Sequence, residues 1–395
     1  MMEIQNVTLA SLSVDGHGSY GIGASAVERS ENLYTYLRIT DIRDDGTLNM
    51  ADLKSVDDKK ASQYLLKPND IVYARTGAST GRNYFYDGTD GEFVYAGFLI
   101  KFSIDPKKVN PKFVKYYCMS DAYKAWIHSF TTGSTRGNIN AQTLGGMPIP
   151  LPPRQQQDGI VELLSSLDKK IRTNTEVNEN LYQMVATLYA SIFRERVRQT
   201  TTIGQYSKQI YSGGTPSTSK PEFWNGPLHW FSSGETRNRF AITTEKTITQ
   251  VGVDNSSTKL AHKYDIVMAS AGQGFTRGQT TMLLLDTYVN QSVIVIHSDH
   301  LHLPYLFWNL SSRYEELRAI SDSSSIRGSL TTKMIAGFDV PEVDQQSLVR
   351  FSEFAWPIIA EIEKNLHENE HLSAIRDMLL PKLMSGEIDV SDYNL

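Results

Sequence analysis

Asp70-Ile71-Val72 returns later in the chain as Asp265-Ile266-Val267, and the same step of 195 carries Gly77 to Gly272, Val94 to Val289 and Ser103 to Ser298. Further on, Pro111 pairs with Pro304 at a step of 193. The step then settles at 191, relating Ser134-Thr135-Arg136-Gly137 to Ser325-Ile326-Arg327-Gly328, Gly146 to Gly337 and Pro150 to Pro341. Self-similarity over so long a stretch is the mark of a duplicated unit, and small loop deletions explain the drift. Within each copy, Asp70–Ala74, Phe93–Phe102 and Val289–His297 are rich in β-branched and aromatic residues and predict strands. Pro111 and Pro304 stand where a helix can begin. Each copy therefore opens with a mixed α/β domain.

The step of 191 continues into a helical segment, through Gln155 and Gln346, Ile171 and Ile362, Asn174 and Asn365, Asn178 and Asn369, Leu181 and Leu372, and Leu188 and Leu379. Apolar residues recur there at steps of three and four: Ile160, Leu163, Leu164, Leu167, Ile171, Leu181, Met184, Val185, Leu188 and Ile192 in the first copy, and Phe354, Ile358, Ile362, Leu366, Leu372, Ile375 and Leu379 in the second. That spacing builds a helix with a seam for a partner helix. The simplest partner for each is the other, giving an antiparallel coiled-coil spacer about 60 Å long at roughly 1.5 Å per residue. The asparagines interrupt both seams at equivalent places, where a polar residue fixes register; outward-facing positions are the alternative. The expected order is a first domain over 1–150, a spacer helix over 151–198, a second domain over 199–340, and a second helix with a tail over 341–395.

Composition agrees with two folded domains. The 395 residues are 40% apolar and 21% charged, ordinary for a globular chain. No basic stretch leads into an apolar run at the start, and no segment approaches the roughly 20 apolar residues of a membrane helix, so a cytoplasmic protein with no membrane partner is expected. Cys118 is the single cysteine; it excludes an internal disulfide and a thiolate zinc cluster and reads as a small buried hydrophobe. The net charge is −5, but residues 341–395 hold 4 Lys or Arg against 11 Asp or Glu, so residues 1–340 carry −5 − (−7) = +2. The acidity lies in the tail, and the body is free to present local basic faces.

No catalytic constellation is complete. Gly77-Ala78-Ser79-Thr80-Gly81-Arg82 lacks the spacing and the lysine of a phosphate loop and reads as a tight turn between strands. His297, His300 and His302 lie close together but without metal-ligand spacing. Asp41, Asp44 and Asp45 cluster in a turn-like stretch with no counterpart in the second copy, and read as solvated turn residues rather than a metal-dependent nuclease site.

Three stretches carry a family resemblance. Ser212-Gly213-Gly214-Thr215-Pro216-Ser217 leads through Pro221-Glu222-Phe223-Trp224-Asn225-Gly226 to Trp230-Phe231-Ser232-Ser233-Gly234-Glu235. Ile149-Pro150-Leu151-Pro152-Pro153 leads to Gln155-Gln156-Gln157, and the chain closes through Leu379-Leu380-Pro381-Lys382-Leu383-Met384-Ser385-Gly386-Glu387-Ile388. In these stretches and in the order of its parts, nearly the whole chain resembles the specificity subunits of Type I restriction-modification systems. It departs in the first copy, where Gly16-His17-Gly18-Ser19-Tyr20-Gly21-Ile22-Gly23 stands in place of a Gly-Gly-Thr-Pro opening.

The resemblance implies two target-recognition domains that each read one part of a split, asymmetric site on double-stranded DNA, with the paired helices docking methyltransferase subunits, two of them expected. It also implies restriction subunits with helicase and nuclease activity. S-adenosylmethionine, ATP and magnesium would then sit on those partners, with no cofactor, metal or catalytic residue in this chain. DNA contacts need cations for phosphates and forked or amide side chains for bases. The candidates are Arg136 and Arg327, which recur beside glycine; Arg75 and Arg82 around the first glycine-rich turn; Arg277 beside the second; and Arg237 and Arg239 after the Trp-Phe-Ser-Ser-Gly run. Trp224, Trp230 and Phe231 read as fold-stabilising aromatics. The candidate seam residues are Leu167, Ile171, Leu181, Leu188, Ile358, Ile362, Leu372 and Leu379. One rival is a structural adaptor that binds only proteins; another is a self-contained enzyme with an unfamiliar site, against which the missing motifs and the duplication both weigh.

Overall fold

A computed structural model describes residues 4–130, 138–194, 199–272, 276–323 and 328–390. The chain divides into two compact units, Met1–Lys169 with Leu372–Leu395, and Lys170–His371. Each holds a mixed α/β domain and a part of each of two long helices, Arg154–Tyr189 and Gln345–Ser385.

In the first unit a four-stranded antiparallel sheet runs in the order Ser19–Tyr20, Leu99–Ser103, Asp70–Ala74, Asn83–Tyr86. A second sheet of four runs Ala26–Val27, Lys54–Val56, Tyr34–Leu37, Phe93–Tyr95, its last pair parallel. Every residue of Asp70–Ala74 is buried, as expected of a strand with both faces covered. One of those faces is covered by the helix Pro111–Tyr117, which starts where Asn110 caps the Lys112 N–H and Pro111 takes the first turn; Phe113 and Tyr116 pack there with Tyr73 and Phe102. Gln5–Thr8 pairs with Pro148–Leu151, tying the end of the domain to its beginning.

The second unit repeats this plan. A five-stranded sheet runs Ser207–Ser212, Val293–Ser298, Ile266–Ala269, Thr280–Leu283, Phe240–Ala241. Lys246–Ile248, Trp224–Phe231, Thr287–Val289 and Lys259–Ala261 form the other sheet, and Thr200–Thr202 pairs with Asp339–Pro341. Helix Leu303–Ser311 again carries a proline, Pro304, in its first turn. The equivalence reaches single hydrogen bonds: Leu9 N–H donates to Met147 O and Ile203 N–H to Phe338 O, both at 3.0 Å.

Two sequence expectations change. Phe93–Phe102 and Val289–His297 each read as one strand, but each is broken by a turn, at Ala96-Gly97-Phe98 and at Asn290-Gln291-Ser292. The strands on either side of the turn belong to different sheets, so the apolar run crosses from one sheet to the other. The structural register also differs by one from the sequence match, since Tyr95 O accepts from Ile22 N–H as Val289 O accepts from Gly214 N–H. Tyr95, rather than Val94, is the counterpart of Val289.

Within each unit the two long helices run antiparallel. In the first, Asp168 accepts from Arg376 at 3.2 Å, and Gln156 bonds the Ile388 carbonyl and the Val390 N–H of the tail. Ile160, Leu164, Leu380 and Leu383 are buried there, with Leu163 and Leu379 packed against them. In the second, Ile358 and Ile362 are buried with Tyr182 and Val185, and Leu181 and Leu188 pack at the edge. Leu167, Ile171 and Leu372 are half-buried. Met184 and Phe354, assigned to the seam by periodicity, are exposed; Phe351 and Ala355, one turn aside, are buried instead. The asparagines do lie in the seam, Asn174 at 3% and Asn365 at 6% exposure.

Candidate nucleic-acid interface

The glycine-rich turns close in the same way in both domains. Gly81 N–H donates to Ala74 O at 2.8 Å and Gly278 N–H to Ala269 O at 2.9 Å, and both glycines have φ near +90°, a conformation glycine adopts without the strain of a Cβ. The second turn is two residues longer, so Arg277 corresponds to Thr80 and Arg82 to Gln279. As the sequence indicated, this is a turn between strands and not a phosphate loop.

The structure separates the seven candidate arginines. Arg136 and Arg327 lie outside the described residues. Arg82 makes a forked pair with Asp44, at 2.6 and 3.2 Å. Arg237 pairs with Glu245 and donates to Gly234 O at 2.8 Å. Arg239 pairs with Glu179 and lies 4.2 Å over the Tyr182 ring, docking on the long helix. Arg277 is buried, paired with Asp322 and bonded to Gly328 O at 2.6 Å. Arg75 has no carboxylate partner among the described residues. Its guanidinium lies over the Tyr20 ring at 5.1 Å, and its Nε makes no hydrogen bond among the described residues.

Spatial equivalence also finds what the sequence concealed. A Cβ on Gly213 would fall 1.9 Å from Val289 O, and one on Gly214 would fall 2.1 Å from Ser257 Oγ; the opening glycines are dictated by close backbone packing. Gly21 is the first copy's counterpart of Gly213, since a Cβ there would meet Ala96 O and Tyr95 O at 2.3 Å. The first domain therefore keeps the essential glycine of an opening it appeared to lack. Trp230 and Phe231 are buried, and Trp230 Nε1 donates to Gly214 O at 3.3 Å. Trp224 stands edge-on to Trp230 and lines a shallow cleft with Asn225, Lys246 and Thr247.

The remaining polar clusters serve structure. Asp41 is not a solvated turn residue as expected, but buried, accepting from the Arg38 guanidinium at 2.6 and 3.0 Å and from its N–H at 2.7 Å. Asp70 and Asp265, equivalent and buried, each accept a backbone N–H from three residues before, Lys67 and His262. Burial raises the Asp265 carboxyl, opposed by the His262 N–H and by His297 at 2.7 Å. His300 instead stacks on Trp356 at 3.8 Å, and no metal-binding cluster occurs among the described residues. Cys118 is buried beside the Tyr73 hydroxyl at 3.2 Å, and burial pushes its thiol up to about 12. Among the described residues, no helix is long and apolar enough to cross a membrane.

The fold defines a class, that of duplicated α/β domains carried on a pair of long helices. It is similar to the S subunit of a Type I restriction-modification system from M. genitalium, with a TM-score of 0.57 and 16% identity over 97% of this chain and 96% of that one. Residues 25–183 match the model of the Type I restriction modification DNA specificity domain. The chain is also similar to the Type I restriction enzyme HindI specificity subunit of Haemophilus influenzae, 20% identical over 82% of this chain and 87% of the relative. With the EcoR124I/EcoR124II specificity subunit of Escherichia coli it shares 25% identity over 60% of this chain and 61% of that one. Residues 25–183 thus match a Type I restriction modification DNA specificity domain, and the chain over most of its length is similar to Type I restriction enzyme specificity subunits.

Proposed function

We propose that this chain is the non-catalytic DNA-specificity subunit of a Type I restriction-modification complex, each α/β domain reading one part of a bipartite, asymmetric site. The observation that carries this reading is the duplication itself: two domains share a scaffold but differ in the side chains at equivalent loops. A single chain with two unlike readers, in contrast to a homodimer, does not demand a palindrome.

Arg75, Arg82, Arg136, Arg237, Arg239 and Arg327 are the proposed DNA-facing arginines, with Arg75 foremost, whereas Arg277, a candidate from the sequence, is buried and bound to Asp322 and the Gly328 carbonyl. Exchanging an exposed carboxylate such as Glu245 or Asp44 for phosphate costs little, because surface ion pairs are worth about 0–1 kcal/mol. The paired helices, through the Leu167, Ile171, Leu181, Leu188, Ile358, Ile362, Leu372 and Leu379 seam, form the platform for two methyltransferase subunits. Those subunits carry S-adenosylmethionine, and restriction subunits with helicase and nuclease activity carry ATP and magnesium; this chain binds none of the three. The assembly acts in the cytoplasm. A protein-binding adaptor would bind its partners with no dependence on DNA. The discriminating experiment is a titration of a methyltransferase–specificity complex against duplex DNA at rising salt: steep weakening, at a slope of roughly −0.9 per neutralised phosphate, supports a DNA reader. Absence of binding at low salt would leave only the adaptor.

A further inference from the structure

The end of the central sheet has one backbone in both domains and two sets of side chains. Arg75 N–H donates to Phe98 O at 3.1 Å, and Ser270 N–H donates to Ser292 O at 2.8 Å. The Arg75 carbonyl accepts from Ile139 N–H at 2.9 Å, and the Ser270 carbonyl from Leu330 N–H at 2.8 Å. Leu99 N–H closes the turn on Ala96 O as Val293 N–H does on Asn290 O. Yet Arg75 faces Ser270 across the duplication, Phe98 faces Ser292, Gly97 faces Gln291, and Gly23 faces Thr215. A scaffold held bond for bond while its side chains change in size and chemistry is what two readers of different sequences require.

The side chains also suit base edges. In the first domain Phe98 is 56% and Tyr20 43% exposed, and Arg75 rests on the Tyr20 ring with no acidic partner among the described residues. Tyr20 is itself fixed, since its hydroxyl accepts from Ala141 N–H at 3.1 Å. In the second domain Thr215 donates to Gln291 Oε1, which orients the amide and leaves its NH2 group directed elsewhere. Arginine pairs bidentately with guanine O6 and N7, glutamine with adenine N6 and N7, and an apolar side chain contacts the thymine methyl.

We propose that the turn joining the two sheets in each domain, Ala96–Phe98 with Arg75 and Asn290–Ser292 with Thr215, is the base-reading element. Arg75 reads a guanine in one half of the site, with Phe98 against a neighbouring base, and Gln291 reads an adenine in the other half. This rests on the DNA-specificity function proposed above.

The test expresses the complete chain with its methyltransferase subunit in a methylation-free host and maps methyladenine across the genome. Wild type should yield a split motif. Arg75→Ala should relax one half at a single G·C position, raising methylation of sites with another base there at least tenfold, while the other half stays intact. Gln291→Ala should relax the other half alone. If Arg75→Ala loses all methylation through misfolding, Arg75→Lys keeps the charge without the fork, and Phe98→Ser trims an exposed ring; each should still relax the first half. A wild-type split motif that these variants leave unchanged in both halves would overturn the reading turn while leaving the DNA-specificity function standing. A wild-type complex that is intact and competent to methylate, yet yields no motif, would overturn both.

Discussion

Asn365 Nδ2 donates to Asn178 Oδ1 at 2.9 Å, and the equivalent amide of the first helix, Asn174 Nδ2, donates to Asn369 Oδ1 at 2.9 Å. The two bonds are copies of each other, so the antiparallel helices cross at a local two-fold relationship inherited from the duplication. Asn174 also donates to Glu368 at 2.8 Å and accepts from Lys170 at 3.0 Å. Polar groups buried in a seam fix register at the expense of stability. Replacing only Asn365 by Ala leaves Asn178 without its donor and should cost about 1–2 kcal/mol. Replacing Asn178 and Asn365 together by Leu should cost less than the single change, or stabilise. Urea unfolding of the three proteins decides; a double variant weaker than the single one would contradict this role.

Asp168 anchors the first long helix to its domain. It accepts from Lys115 Nζ at 2.8 Å, from the Tyr116 hydroxyl at 2.9 Å and from Arg376 at 3.2 Å. Burial pushes its carboxyl up, but these three donors outweigh burial and hold it below the usual range. A carboxyl lowered by folding contributes stability that is present above its unfolded pKa and is lost as pH falls through its folded one. Asp168→Asn should therefore cost on the order of 2 kcal/mol at pH 7, with the difference from wild type shrinking between about pH 5 and pH 2. A difference constant across that range would show that the charge at Asp168 is not what matters.

Close backbone packing at the opening glycines predicts that Gly213→Ala and Gly21→Ala each destabilise their own domain, by on the order of 3 kcal/mol. Gly23→Ala has open space around its Cβ and should melt as wild type does. Differential scanning calorimetry distinguishes them, and a Gly21→Ala protein as stable as Gly23→Ala would refute the proposed equivalence of Gly21 and Gly213.

Ile362 is 1% exposed and Phe354 39% exposed, although helical periodicity assigned both to the seam. An aspartate at Ile362 buries an unpaired charge and should abolish copurification with the methyltransferase or the folded state itself. Phe354→Asp should lower the melting temperature by no more than a few degrees. Equal damage from both would place the seam where periodicity alone drew it.

The duplication was legible because loop deletions leave most of each copy in step, and the strand Asp70–Ala74 because the short apolar run Ile71–Ala74 between turns has few alternatives. The break at Ala96–Phe98 was not legible. Its flanking strands are buried in two different sheets, so hydrophobicity runs straight through the turn. Gly21 went unrecognised for a related reason: the constraint on it is the approach of Tyr95 and Ala96, distant in sequence. Charge type told which residues could meet DNA, but it could not tell that Arg82, Arg237, Arg239 and Arg277 each meet a carboxylate in the fold. Phe351 and Phe354 differ only in helix face, a distinction periodicity blurs where a helix meets both a partner helix and a domain.

The central claim is that two domains read two parts of one site. It is tested most directly by mapping methyladenine in a methylation-free host that expresses the chain with its methyltransferase subunit, with residues 199–340 either native or exchanged for the second domain of a relative. The account predicts a split, asymmetric motif of which one half changes with the exchange and the other does not. A motif altered in both halves, or no motif from an intact and active complex, would contradict it.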